Sequence, residues 1–153
     1  MRGETILRRA AEPDAPAILA LTRAAYAKWV PIIGREPLPM NADYSDILRK
    51  DRVDLIYVGP VLAALMHTIR KPDHLEIYNV AVAPGFQGRG LGRRLLAHAE
   101  TLAASLDYDE VRLFTNKAFT ENIQLYLRVG YEIYLEEPFM EGFTVYMKKP
   151  IAR

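Results

Sequence analysis

Hydrophobic and polar positions change period several times along this chain, and each change predicts an element. Thr5 to Arg8 alternates as a short strand. After Asp14, a plausible N-cap, Pro16 falls in a first helical turn, and Ile18, Leu21 and Ala25 recur on one helix side. Asp43 or Tyr44 to Lys50 reads as a short second helix. Val53–Val58 and Val61–Arg70 read as strands joined by a tight turn at Gly59-Pro60. Leu75–Val82 is a β-branched third strand of that group. Leu91–Leu106 is the clearest helix, with Leu91, Leu95, Ala99, Leu102 and Leu106 at helical spacing. Glu110–Thr115 reads as a strand, and Glu121–Val129 as a helix closed by Gly130. Tyr131–Glu137 and Phe143–Lys148 read as a final antiparallel pair. Between Pro31 and Asn41 the prolines at 31, 37 and 39 predict an irregular loop. The order β-α-α-β-β-β-α-β-α-β-β predicts an α/β (α+β) fold. No composition shift marks a linker, so one domain over residues 1–153 is expected.

The length of 153 residues suffices for one ordinary core. Twenty basic against nineteen acidic residues leave a net charge of +1, without the basic excess of a nucleic-acid binder. There is no cysteine, which excludes disulfides, thiolate metal sites and a thiol nucleophile. With three histidines, no metal site is expected. Residues 1–12 show no continuous apolar leader, and Leu55–Met66 is too short to span a bilayer. A cytoplasmic protein without membrane or nucleic-acid partners is expected.

The chemistry concentrates in Val80–Leu96, where a strand passes through a glycine-rich turn into a long helix. Gly88, Gly90 and Gly92 permit positive φ and close backbone approach. The helix start offers N–H groups without intrahelical partners and a positive dipole end. Together they form an anion site suited to a pyrophosphate, to which Arg89, Arg93 and Arg94 add bidentate donors. The plain alternative is a glycine turn that only packs tightly. The spacing G-x-G-x-G is neither a P-loop nor a Rossmann fingerprint.

Gln87-Gly-Arg-Gly-Leu-Gly92 matches the Q-x-x-G-x-G signature of the GNAT superfamily of N-acetyltransferases. Glu76–Val82 resembles that family's fourth strand, and Glu121–Tyr131 its last core helix with the glycine-aromatic step. The resemblance spans essentially the whole chain. It implies about seven strands in a mixed, mostly antiparallel sheet flanked by about four helices. It also implies acetyl-CoA as cofactor, coenzyme A as product and a primary amine of a small molecule as acceptor, by direct transfer in a ternary complex. A protein amine, or a non-catalytic acyl-CoA-binding module, is the alternative. Superfamily members are often homodimers.

Carried over residue by residue, Gln87, Gly88, Arg89, Gly90, Leu91, Gly92 and Arg93 would cradle the pyrophosphate. The backbone of Val80, Ala81 and Val82 would pair with the pantetheine arm. An alkyl ammonium with a pKa of about 10.4 must lose its proton near neutrality, at a cost of roughly 4.6 kcal/mol. Glu76 matches a glutamate base of the histone-acetylating branch; the alternative is an ordinary strand carboxylate or a substrate anchor. His74 and Tyr78 are weaker candidates. Tyr126 matches the family's helix tyrosine, which gives its proton to the departing sulfur; the alternative is a core tyrosine. Phe119 stands where the family often has an asparagine, and Asn116 or Asn122 would substitute or serve only as cap or surface. Acceptor residues would come from Tyr26, Trp29, Ile33, Arg35, Glu36, Met40 and Tyr44, and from the acidic segment Glu136–Gly142; the alternatives are a core role for Trp29 and a solvated hairpin tip.

Overall fold

Seven strands alternate with helices in the computed structural model, which describes residues 4–152. The strands are β1 (Thr5–Arg9), β2 (Arg52–Val58), β3 (Val61–Arg70), β4 (Leu75–Val82), β5 (Glu110–Asn116), β6 (Glu132–Phe139) and β7 (Gly142–Pro150). The helices are α1 (Ala15–Tyr26), a single turn α2 (Val30–Ile33), α3 (Tyr44–Lys50), α4 (Leu91–Ser105) and α5 (Thr120–Val129). The sheet order is β1-β2-β3-β4-β5-β7-β6. Only β4 with β5 is parallel among the registered pairs, as a crossover through α4 requires. The mixed α/β sheet is therefore the predicted one.

The chain divides into two compact units. The first runs to Thr68 and takes up again at Asn79–Leu95. Its core sets Ile18, Leu21 and Ala25 of α1 and Tyr44 of α3 against Val53, Leu55, Leu65 and Ala81. Asp14 does not cap α1 with its side chain. Its carboxylate turns back to accept from the Ala11 amide at 2.8 Å and from both terminal nitrogens of Arg8 at 2.9 and 3.0 Å. Asp14 is consequently held below the usual carboxylate range, chiefly by the Arg8 hydrogen bonds.

The expected loop at Pro31–Asn41 is more ordered than proline density predicted. Val30–Ile33 forms a helical turn and Leu38–Asn41 a 3₁₀ turn, each with proline among its first positions. A first-turn residue needs no intrahelical N–H, so the missing donor costs nothing there. Gly34, at φ 76°, closes the first of these turns.

The second unit comprises Ile69–Tyr78 and Leu96 onward. Leu75 and Ile77 of β4 stand in register with Val111 and Leu113 of β5, and Leu113 pairs Met147 of β7. All five are buried. Lys149 projects from that same face of β7, where its Nζ meets Glu100 of α4 at 2.9 Å. A Cβ on Gly130, which ends α5 at φ 113°, would stand 3.2 Å from Lys149 Cε. Both helices of this unit thus lie on one side of its sheet. β6 runs two residues past the expected Glu137, through Pro138-Phe139, and β7 extends from Gly142 to Pro150 where Phe143–Lys148 was expected. Glu136 and Glu137 belong to β6, and the two-residue tip is Met140-Glu141, both at positive φ.

Candidate functional site

The glycine turn lies in the first unit. Gly88 and Gly90 adopt φ of 79° and 80°, where an L side chain is strained. A Cβ at either would meet no protein atom within 4 Å, so space above the loop is open. Gly92 differs from the expectation: it lies in the first turn of α4 and is not among the positive-φ residues. Its neighbours already set the turn, and a helical position needs no left-handed backbone. The first registered α4 bond here runs from the Arg94 amide to the Gly90 carbonyl at 3.0 Å. Amides earlier in the turn have no intrahelical acceptor and point out along the dipole. Arg89, Arg93 and Arg94 are exposed, and Arg89 rests over the Phe86 ring at 5.0 Å. Gln87 Nε2 donates to the Val82 carbonyl at 3.2 Å and ties the turn to the end of β4. Leu91 is buried and anchors the helix start. Open space, positive-φ glycines, a helix N-terminus and exposed guanidinium groups suit a pyrophosphate.

The same unit carries the residues expected on the acceptor side. Tyr26 donates from its hydroxyl to Asn79 Oδ1 at 2.6 Å. Trp29 and Tyr44 are both buried. Tyr44 also donates to the Pro39 carbonyl at 2.8 Å. Glu36 accepts from Arg23 at 3.0 Å and from Asn41 at 2.9 Å, and Asn41 holds its carboxyl below the usual range. Arg35 is half-buried. Asn79 drew no attention in the sequence, yet a polar residue among the buried alternate positions Leu75, Ile77 and Ala81 was a readable signal. It is 3% exposed, and its Nδ2 has no hydrogen-bond partner. Val80 and Val82 are half-buried and Ala81 is buried.

In the second unit, Tyr126 is buried in α5, with its ring edge-on to Tyr131 at 6.2 Å. Burial pushes its phenol up to about 12. Glu76 stands on β4 with 20% of its side chain exposed; His74 Nε2 is 3.7 Å and Lys71 Nζ 4.0 Å from its oxygens. His74 Nδ1 lies 2.7 Å from Asp73 Oδ1. Tyr78 meets Phe114 edge-on at 5.5 Å. Asn116 Oδ1 accepts from the Ala118 amide at 2.9 Å, shaping the turn into α5. Asn122 is half-buried in the first turn of α5. Among the described residues no group of His, Asp and Glu could hold a metal ion, and no helix is long and apolar enough to cross a membrane.

Comparison with known proteins places this geometry. The chain is 25% identical over 96 residues to the uncharacterized N-acetyltransferase YvbK of Bacillus subtilis, and that stretch covers 62% of each protein. The fold is similar to that of the ribosomal-protein-S18-alanine N-acetyltransferase of Escherichia coli. The TM-score is 0.80 at 20% identity, over 98% of this chain and 96% of that one. It is equally similar to the PaiA N-acetyltransferase of Thermoplasma acidophilum, solved in complex with coenzyme A. There the TM-score is 0.80 at 12% identity, over 96% and 99% of the two chains. The model of the acetyltransferase (GNAT) family matches residues 28–131, from just after α1 through the glycine turn to the step after α5. With about two thirds of its length matched by the family model, the chain belongs to the GNAT family.

Proposed function

We propose that the protein transfers an acetyl group from acetyl-CoA to a primary amine of a small molecule, directly and without an acyl-enzyme. The observation that carries this reading is the turn at Gly88 and Gly90 leading into α4, with open space above it and arginines around it. Its fit to a pyrophosphate agrees with family membership and with the coenzyme A in the similar Thermoplasma structure. Absence of cysteine removes a thiol acyl carrier, which favours direct transfer.

When bound, acetyl-CoA supplies the thioester carbonyl that an amine attacks and the thiol that leaves. The chain's own residues manage binding and protons. Amides of residues 88–93 bind the pyrophosphate oxygens. Glu76 takes the proton that the ammonium must lose, at a carboxylate that Lys71 and His74 flank. Tyr126 holds a proton for the departing sulfur. With its phenol pushed up to about 12, it keeps that proton across the whole neutral range.

A thiol-detecting dye tests the reading cleanly, because the chain has no cysteine to give background. Purified protein with acetyl-CoA should release thiol only when an amine is added. Mass spectrometry should find the acetyl group on that amine. Thiol release at one rate with and without every amine tried would sink the proposal. The likeness to an S18-alanine N-acetyltransferase gives a second reading, a protein α-amine as acceptor. Short peptides with free N-termini belong in the same panel.

A further inference from the structure

The sheet of the second unit has a face that neither of its helices occupies. Residues there follow from register. Glu76 is aligned with Arg112, and Arg112 with Lys148; two residues along, on the same face, Tyr78 meets Phe114 and Phe114 pairs Tyr146 in a second row. Rings continue along that row. Tyr78 and Phe114 are 5.5 Å apart, Phe114 and Tyr146 6.0 Å, and Tyr146 and Tyr134 of β6 6.3 Å. Four aromatic residues thus cross four neighbouring strands in one line. Strands lie about 4.8 Å apart, so β4 to β7 spans about 10 Å.

The charges around this row are uneven. Arg112 is taken up by Glu110, and both Arg112 and Lys148 sit over Tyr134, at 5.5 and 5.2 Å. The protein's own cations therefore crowd the β6 end. Tyr146 has a carboxylate beside it: Glu137 of β6 stands opposite Thr144 of β7, two residues from Tyr146 on the same face. Burial raises its phenol first, followed by a hydrogen bond to Glu137, and then the charges of Glu137, Tyr134 and Glu76 add to it. Aromatic faces bordered by carboxylates attract a cation.

A cation-attracting surface is wrong for the nitrogen that reacts, because it stabilises the ammonium and the reaction needs the free amine. Its useful role is to hold a second positive charge on the same molecule. We propose that the row Tyr78–Phe114–Tyr146, with Glu137 at its far end, binds a second, non-reacting ammonium of the acceptor. The substrate class is then a linear diamine or polyamine, with the reacting nitrogen toward Glu76. This inference rests on the acetyltransfer reading above.

Putrescine and butylamine have the same carbon chain and differ by one ammonium, so they isolate the second charge. For the unaltered protein, kcat/KM should be about tenfold or more higher for putrescine, the range of an ion pair added to a cation–π contact. In Glu137→Gln, KM for putrescine should rise about tenfold with kcat little changed, and the ratio between the two amines should approach one. Tyr146→Phe should move the ratio in the same direction. Glu137 is exposed on β6, so its amide variant keeps the fold. Equal kcat/KM for both amines, or an undiminished ratio in Glu137→Gln, would overturn the inference. Absence of thiol release with every amine and peptide would instead defeat the acetyltransfer reading. Calorimetry of putrescine against the unaltered protein and Glu137→Gln would then decide. Binding weakened by the substitution supports the ammonium site, and no binding overturns it.

Discussion

In the proposed reaction, two residues carry most of the chemical weight. Burial raises the Tyr126 phenol to about 12. A buried phenol of that kind stays protonated at neutral pH, so its proton is in place when the sulfur leaves, while its raised pKa makes it a weaker acid than a free tyrosine. Tyr126→Phe should lower kcat about 100-fold while KM for acetyl-CoA changes less than about threefold, as steady-state rates across acetyl-CoA concentration will show. Equal losses in both would make Tyr126 a packing residue. Gly90 is constrained by backbone angle, since a Cβ there meets no protein atom. Gly90→Ala pays about 1–2 kcal/mol in left-handed backbone strain. It also places a methyl group in the space above the loop. KM for acetyl-CoA should rise about tenfold or more, with kcat for saturated enzyme much less affected; an unchanged KM would remove this turn from coenzyme binding.

Elements place these residues, and their boundaries carry information too. The turn into α4 works because β4 ends at Val82 and Gln87 ties back to that carbonyl. Prolines 31 and 39 each open a short helical turn where sequence density suggested irregular chain. The β6–β7 hairpin is closed by Met140-Glu141 at φ 45° and 65°, a two-residue turn that glycine and asparagine fill more comfortably. Met140→Asn combined with Glu141→Gly should raise unfolding stability by about 1 kcal/mol, measured by urea denaturation at constant m-value. A loss of stability would mean that the native side chains at the tip contribute more than the backbone strain costs. Glu136 and Glu137 lie within β6 and not at this tip. Glu136 is paired with Lys117 at 2.7 Å, and Glu137 is left to face Tyr146.

Across the whole molecule, buried phenols link stability to pH. Tyr126 titrates near 12 when folded and near 10 when unfolded, and Tyr131 is raised further in the same direction by burial. The folded state therefore binds more protons than the unfolded one above pH 10, so stability is full below pH 10 and falls as pH rises from there. Tyr126 alone accounts for about 2–3 kcal/mol between pH 10 and pH 12. The urea midpoint should drop over that range, and less steeply in Tyr126→Phe; parallel curves would assign the loss to other groups. Much of the fold was legible beforehand, because amphipathic period and glycine or proline punctuation are local properties. The seven strands, α1, α3, α4, α5 and the glycine turn all follow from that kind of signal. The loop's likeness to an anion site was legible too, since positive φ and helix termini are set within a few residues. Long-range pairing was not. That Asn79 would receive the Tyr26 hydroxyl, that Glu36 would be engaged by Arg23 and Asn41, and that Tyr78, Phe114, Tyr146 and Tyr134 would align depends on partners far apart in the chain. By itself the sequence determined the order of elements and a positive-φ glycine turn that leads into a helix N-terminus, through backbone preferences that need no distant neighbour. Only the tertiary structure decided which side chains share a face, because register brings them together and a shift of one residue would send them to the opposite side.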